Sequence, residues 1–388
     1  MSWPLVKLGE VAPSKALKNP VVVDDDNVWQ LNLDMVESGS GRILKKLKAP
    51  LYEAGSSTHW FDDRHILYSK LRPYLNKVVL PDEEGLATTE LVPMLPDPKR
   101  LDRRYLVHYL RSKQFVSWIS DQVAGAKMPR VSMKVFWDHE IPLPPVEEQK
   151  RIAAILDKAD AIRQKRKQAI DLADEFLRSV FLDMFGDPVT NPKGWEVKEI
   201  DQVCTEIVDC VNRTAPSVDY ETPYKMIRTT NVRNHRIDIS SVRYVEKDVY
   251  EKWVRRLIPE VGDVIFTREA PAGEAGIINF NDSVFLGQRT MHFRPDYEKI
   301  TSTFILYELM ASGVQQQIAR LSAGSTVTHL SVPECKKFKI RLPSIENQKK
   351  FTEIVNKVER SKNSLLISLD QSVELFHSLS QKTFSGQL

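Results

Sequence analysis

The chain repeats itself once, and that duplication limits its architecture more than any other feature. From Ile141 it reads IPLPPVEEQKRIAAILDKADAIRQ, and from Ile340 it reads IRLPSIENQKKFTEIVNKVERSKN. The two align without a gap at an offset of 199 residues, as far as Phe185 and Phe384. Identical pairs include Leu143/Leu342, Pro144/Pro343, Glu147/Glu346, Gln149/Gln348, Lys150/Lys349, Ile155/Ile354 and Lys158/Lys357. Upstream, Ala124-Gly125 matches Ala323-Gly324, Ser132 matches Ser331, and ILYSKLRP from Ile66 resembles VIFTREAP from Val264. The halves also open alike, with WPLVKLGEV from Trp3 and WEVKEIDQV from Trp195. A period this long means duplication of a whole domain rather than a solenoid repeat. Each half is one globular block followed by one helical block.

The helical block starts after Pro144-Pro145, with Glu147 and Glu148 in the first turn, where the helix dipole favours negative charge. Ser344 is the candidate N-cap of the second copy. Apolar or small residues recur at steps of three and four through Ile152, Ile155, Ala159, Ile162, Ala169, Ala173, Phe176 and Val180. Phe351, Ile354, Val358, Leu365, Leu375 and Leu379 continue the pattern in the second copy. This is the period of a coiled-coil seam, about 60 Å long at roughly 1.5 Å per residue. The same period fits helices buried in a bundle, and pattern alone leaves both open. Arg166 interrupts the first stripe and points to a polar contact or a specific register. One long helix cannot bury such a stripe alone, so the simplest partner is the other copy. Gly186-Asp-Pro188 stops the first helix, and Asn191–Gly194 links it to the second block.

Both globular blocks read as mixed α/β. The first has strand candidates at Val21–Val23, Ile66–Tyr68, Val78–Leu80 and Leu91–Leu95. The second has them at Tyr224–Ile227, Val264–Thr267, Gly276–Phe280 and Met291–Phe293. Helices are expected over Arg104–Ile119 and Thr303–Leu321, at matching places. Basic and polar residues fall in loops between the strands. Lys70, Arg72, Tyr74, Asn76, Lys77, Thr89 and Arg130 are the candidates in the first block. Arg228, Thr230, Asn231, Arg268, Arg289 and His329 are those in the second. Such side chains hydrogen-bond phosphates and base edges. The net charge of +3 does not by itself announce a nucleic-acid binder, so the basic residues would have to cluster on one face.

Familiar catalytic patterns do not occur: no P-loop, no G-x-G-x-x-G after a strand, no G-x-S-x-G and no H-E-x-x-H. The nearest approach to a metal cluster is His59 and His65 flanking Asp62-Asp63, which also fits a hydrated acidic turn. Asp24-Asp25-Asp26 fits a solvated turn. Cys204, Cys210 and Cys335 are odd in number, match no zinc spacing and suit small core positions in a reducing cytoplasm. No apolar run is long enough to cross a bilayer, and no secretory h-region opens the chain. Three function classes stay open: nucleic-acid recognition, a protein-binding adaptor, and an enzyme with an unfamiliar site at His59, Asp62, Asp63 and His65.

The chain resembles the specificity subunits of type I restriction-modification systems. The resemblance rests on Ile141–Ile152, its copy from Ile340, FGDPVTNPKGW from Phe185, GDVIFTR from Gly262, GQR from Gly287, and LYSKLRPY from Leu67 with ATTE from Ala87. It covers essentially the full chain. Ser344 in place of a second proline and a less regular second helix are the departures. The resemblance implies an α+β fold. Target-recognition domains would occupy residues 1–140 and 195–339, conserved spacer helices 141–186 and 340–388, and a linker 187–194. The helices would be long, antiparallel and coiled-coil, holding the two domains apart in an internal pseudo-twofold. Each domain would read one half of a bipartite site in double-stranded DNA. The helices would dock two adenine methyltransferase subunits, with two ATP-dependent restriction subunits as optional further members. S-adenosylmethionine, ATP and Mg would belong to those partners, leaving this cytoplasmic chain with no catalytic residues, cofactor, metal or membrane contact of its own.

Overall fold

A computed structural model describes residues 3–18, 20, 26–125, 127–322 and 329–387. The strand expected at Val21–Val23, Asp24 and Asp25 of the acidic turn, and the Ala323-Gly324 match lie outside them. Contacts divide the chain into two compact units, Met1–Ala169 with Leu365–Leu388, and Ile170–Ser364.

In the first unit a four-stranded sheet has the order Leu47–Pro50, Asn27–Leu31, Gly85–Thr88, Thr58–Phe61. Its central pair is parallel and its outer pairs are antiparallel. Gly85 is required there: a Cβ would stand 2.6 Å from the Trp29 carbonyl oxygen and 2.8 Å from the Phe61 ring. A second sheet pairs Ile66–Ser69 with Val78–Val79 and Leu91–Met94. Leu5–Lys7 pairs antiparallel with Glu140–Pro142, tying the start of the block to its end.

The second unit likewise has a four-stranded and a three-stranded sheet, but its parallel pair lies in the three-stranded one. Its four-stranded sheet runs Cys204–Asp209, Thr290–Pro295, Val264–Arg268, Ala272–Ile277. Its three-stranded sheet centres on Tyr224–Ile227, between Arg243–Tyr244 and Ser283–Leu286. Glu196–Glu199 pairs with Lys339–Leu342 as the closing ladder. The strand expected at Gly276–Phe280 instead occupies Ala272–Ile277.

Each long helix expected inside the blocks is two helices. The first breaks at Ser112, whose extended backbone ends Arg103–Arg111 and whose hydroxyl accepts the Phe115 N–H to start Lys113–Ser120. The second breaks at Ala311, where ψ is 158° between Ser302–Met310 and Ser312–Leu321. A 3.6-residue hydrophobic period continues across such a break, so pattern alone does not reveal it.

The two long helices cover Val146–Phe185 and Ile345–Phe384. Residues 141–142 and 340–342 belong to the closing ladders rather than to the helices. Ser344 Oγ accepts the Asn347 N–H at 3.4 Å, as expected of an N-cap. Gly186, at φ 80°, ends the first long helix by donating its N–H to the Leu182 carbonyl. Within each unit, segments of both helices run antiparallel. In the first unit Arg166 Nη1 donates to the Ser368 carbonyl at 3.0 Å, which is the polar contact its place in the stripe suggested. Further along, Ile152, Ala153 and Leu156 share a core with Phe376 and Phe384. In the second unit Lys362 pairs with Asp174, while Phe181 and Phe185 pack on Phe351.

The buried seam departs from the expected stripe. Ile162, Phe176 and Leu375 are 49%, 51% and 58% exposed, whereas Leu177 and Phe376 are buried. Phe185 and Phe384, unlike Phe176, turn toward the globular blocks. Phe384 meets Tyr105 and Tyr109, and Phe185 meets Phe304. The burial phase therefore follows the block surface as well as the other helix.

Two identical glutamines explain part of the repeat. Gln149 is fully buried; its Oε1 accepts the Asp102 N–H, and its Nε2 donates to the carbonyls of Arg100 and Pro144. Gln348 makes the same three bonds, to Thr301 N–H and to the carbonyls of Lys299 and Pro343. Asp102 and Thr301 in turn cap the helices that follow them.

Candidate nucleic-acid interface

In each unit three backbone segments cross at one point, and the crossing is the same in both. In the first, Lys70 N–H donates to the Glu90 carbonyl at 3.0 Å, and Val131 N–H donates to the Lys70 carbonyl at 3.1 Å. In the second, Arg268 N–H donates to the Arg289 carbonyl at 2.8 Å, and Leu330 N–H to the Arg268 carbonyl at 3.0 Å. Ser69 ends one of the buried strands that lead into these crossings, and Thr267 is the last buried residue of the other, Val264–Arg268. Their hydroxyls bond to nearby carbonyls, of Leu71 at 2.8 Å and of Pro271 at 2.7 Å. A rigid strand thus hands over to polar side chains at the surface.

The side chains on the two crossings differ. In the first, Arg130 reaches Glu90 with Nε and Nη2 at 3.2 and 2.8 Å. The hydrogen bond from Arg130 holds the Glu90 carboxyl below its ordinary range, with the charge of Lys70 helping. Arg72 N–H donates to the Pro129 carbonyl, which brings Arg72 beside the same loop. Arg72 and Asn76 have φ of 48° and 50° and bound a tight turn that leaves Arg72 and Tyr74 exposed. Thr89 and Lys70 are half-buried beside them.

In the second crossing, one oxygen of Glu269 meets Arg289 Nε at 3.1 Å and His329 Nδ1 at 3.0 Å. Arg289 and His329 are both exposed, and Arg289 has a φ of 68°. Arg268 is half-buried and donates to the Leu330 carbonyl at 3.1 Å. Gly287 donates its N–H to the Ile227 carbonyl at 2.7 Å. A Cβ at Gly287 would lie 2.8 Å from that oxygen and 3.3 Å from Arg228 Cγ, so glycine permits the approach of Arg228. Thr230 is exposed on the following turn.

Three expected readers are corrected by their surroundings. Asn231 is 1% exposed; its Oδ1 accepts the Arg228 N–H, and its Nδ2 donates to Ser241. It closes a turn and presents no free amide edge. Asn76 is half-buried and donates to the Arg111 carbonyl at 3.1 Å. Lys77 turns inward to the Leu33 carbonyl at 2.6 Å. The reasoning from sequence missed Glu90 and Glu269. Both sit beside or within the basic motifs, and an acid so placed is the signal that was available.

The possible enzymatic cluster resolves into a turn. His65 is 1% exposed, with Nδ1 at 2.7 Å from Asp62 Oδ1 and Nε2 at 2.8 Å from the Lys15 carbonyl oxygen. Arg64 holds the other Asp62 oxygen. Among the described residues no three His, Cys, Asp or Glu side chains are placed to hold a metal, and no helix is long and apolar enough to cross a membrane. Cys204 is half-buried, and burial pushes its thiol up to about 12; Cys210 and Cys335 are buried.

The family described as the type I restriction modification DNA specificity domain matches residues 3–172 and 192–375. The chain is similar to the MjaVIII specificity subunit of a type I restriction enzyme from Methanocaldococcus jannaschii, with 26% identity over 71% of this chain and 68% of the relative. It is also similar to a putative type I specificity subunit from Haemophilus influenzae, 22% identical over 88% of this chain and 90% of the relative. The crystal structure of a type I system S subunit from M. genitalium shares the fold. Its TM-score is 0.59 at 14% identity, over 98% of this chain and 96% of that one.

Proposed function

This chain belongs to the type I restriction-modification DNA specificity family, and from that premise we propose that it reads a bipartite site in double-stranded DNA for a methyltransferase complex. The repeated crossing carries this reading. One scaffold presents Lys70, Arg72, Glu90 and Arg130 in one unit, and Arg268, Glu269, Arg289 and His329 in the other. Equal backbones with unequal side chains suit the reading of two different half-sites. Arginine on guanine is the commonest direct base contact, and a carboxylate can accept from cytosine N4. Glu90 and Glu269 also hold their basic neighbours in place, so less side-chain freedom is lost on binding.

In this reading the long helices pair as a coiled-coil spacer and dock two adenine methyltransferase subunits, with ATP-dependent restriction subunits as optional members. Exposed apolar side chains on the helical segments support docking: Ile162, Ile367 and Leu375 in the first unit, and Leu172, Phe176 and Leu182 in the second. S-adenosylmethionine, ATP and Mg then belong to the partners. Purified alone, the chain is expected to methylate no DNA and to support adenine methylation once a cognate partner is added. Methyl transfer by the chain free of any partner would overturn the division of labour.

Arg72→Ala is expected to weaken binding to one half-site by about 1–3 kcal/mol if Arg72 reads a base, leaving the other half-site unchanged. Arg289→Ala should do the same to the opposite half-site. Binding measured on duplexes carrying one scrambled half-site each tests both. Equal losses on every duplex, with a shallower salt dependence, would place the residue on phosphate instead. Unchanged binding by both variants would remove the two crossings from the reading surface.

A further inference from the structure

The first unit contains a cavity of about 990 Å3 whose wall includes two of the candidate readers, Tyr74 and Asn76. Its wall combines the helices Arg103–Arg111 and Lys113–Ser120, the turn Glu37–Ser40, and segments of both long helices. Four cations line it: Arg111, Lys113, Arg163 and Lys167. Lys167 is paired with Glu37 at 2.9 Å, and Arg163 is paired with Asp160 and lies over the Phe376 ring. Arg111 and Lys113 have no ion pair among the described residues; Arg111 donates to the Val78 carbonyl. The third carboxylate in the wall, Asp370, is exposed.

Buried polar atoms without partners also face this region. His108 is 5% exposed; its Nε2 meets Asp157 at 2.7 Å, and its Nδ1 has no partner among the described residues. Arg111 Nε and Asn76 Oδ1 are likewise unpartnered. Of the three, only Arg111 Nε is a fixed donor that a phosphate oxygen could satisfy; Asn76 Oδ1 is an acceptor, as is His108 Nδ1 when Nε2 carries the proton toward Asp157. Burial lowers the pKa of His377 in the wall, and the charges of Lys113 and Arg163 lower it further, as expected where positive charge gathers.

The duplication supplies an internal control. At the 199-residue offset, His108 corresponds to Tyr307, Arg111 to Met310, Lys113 to Ser312 and Arg163 to Lys362. In the second unit Tyr307 carries the His235 ring at 5.1 Å, and Lys362 is 8% exposed and paired with Asp174. The shared scaffold therefore does not require cations at the positions of Arg111 and Lys113, while it keeps one at that of Arg163.

We infer that this cavity is a phosphate-binding site, in which Arg111, Lys113 and Arg163 receive a phosphate-bearing polyanion. A phosphate offers several oxygens to several donors, which suits separated cations better than a single carboxylate does. Two sources share this chemistry: the DNA backbone and a free nucleotide. Tyr74 and Asn76 line the cavity and belong to the turn that presents Arg72, which favours the DNA backbone; that arm rests on the recognition reading above.

The test variant is Lys113→Gln, because Lys113 is exposed and its replacement leaves the core intact. DNA binding by the complete methyltransferase complex is measured across a salt series, and ATP and pyrophosphate are titrated separately against the full chain. For the backbone source, Lys113→Gln lowers affinity equally on specific and non-specific duplexes and reduces the salt slope by about one. For the free source, ATP or pyrophosphate binds saturably to the wild-type chain and at least 5-fold more weakly to Lys113→Gln, while the DNA salt slope stays unchanged. An unchanged salt slope with no saturable binding of either anion overturns the proposal. Arg72→Ala runs in the same DNA assay. If it still removes one half-site while Lys113→Gln does nothing, the cavity proposal fails and the recognition reading stands.

Discussion

Replacing Arg341 with alanine is expected to destabilise the second unit by about 3–5 kcal/mol, the usual cost of removing one partner of a buried ion pair. Arg341 and Glu308 are each 3% exposed at the side chain, and Arg341 Nε donates to Glu308 at 2.8 Å. Arg341 Nη1 also reaches the carbonyls of Phe185 and Gly186 at 2.9 and 2.7 Å, closing the end of the first long helix. Alanine would leave the Glu308 carboxylate buried with only the Arg341 backbone N–H, and the Gly186 carbonyl without a donor, while the Phe185 carbonyl keeps Trp195 Nε1. Burial already pushes the Glu308 carboxyl up, with Arg341 opposing the shift, so the orphaned acid would take up a proton more readily. Hydrogen exchange on peptides from residues 300–342, with urea unfolding, measures the loss. The double variant Arg341→Met, Glu308→Leu should recover part of it, because no buried charge then remains. A single-variant loss below about 1 kcal/mol would show that water or rearrangement relieves the pair.

The second large effect concerns the two glutamines. Gln149→Ala removes the partners of the Asp102 N–H and of the Arg100 and Pro144 carbonyls. About 2–4 kcal/mol of stability should be lost from the first unit: roughly 1–3 kcal/mol for the buried Pro144 carbonyl, and less for the part-buried Asp102 N–H and Arg100 carbonyl, which water can reach. Gln348→Ala should cost the second unit a similar amount through Thr301, Lys299 and Pro343. Because the sites lie in different units, the double variant should show additive losses. Proteolysis patterns that follow the mutated unit would verify the assignment. Equal protection in both single variants and in wild type would mean the glutamines are conserved in the repeat without structural need.

Much of this was legible in the residues. The 199-residue offset fixed the duplication, since an ungapped match over a whole helix and its approach has few other causes. Pro144-Pro145, Ser344 and Gly186 marked the long-helix boundaries through local backbone chemistry that needs no tertiary partner. The strands at Ile66, Val264 and Tyr224 were visible because they are short apolar runs bounded by polar turns. The strands at Asn27–Leu31 and Thr58–Phe61 were not, because their residues alternate poorly and their partners are distant in sequence.

What sequence alone determined, then, is whatever depends on neighbours a few residues apart or on comparing the chain with itself: two like halves, two long helices and the basic loops. Tertiary structure decided which of those polar side chains are available. Asn231, Asn76 and Lys77 have the right chemistry for reading DNA, but each bonds inward to a backbone group far from it in the chain. Glu90 and Glu269 acquire their importance only because a distant loop brings Arg130 to one and His329 to the other. The exposed faces at Phe176 and Leu375 arise for the same reason, since a helix knows its period from its own sequence but learns which face is buried from what packs against it.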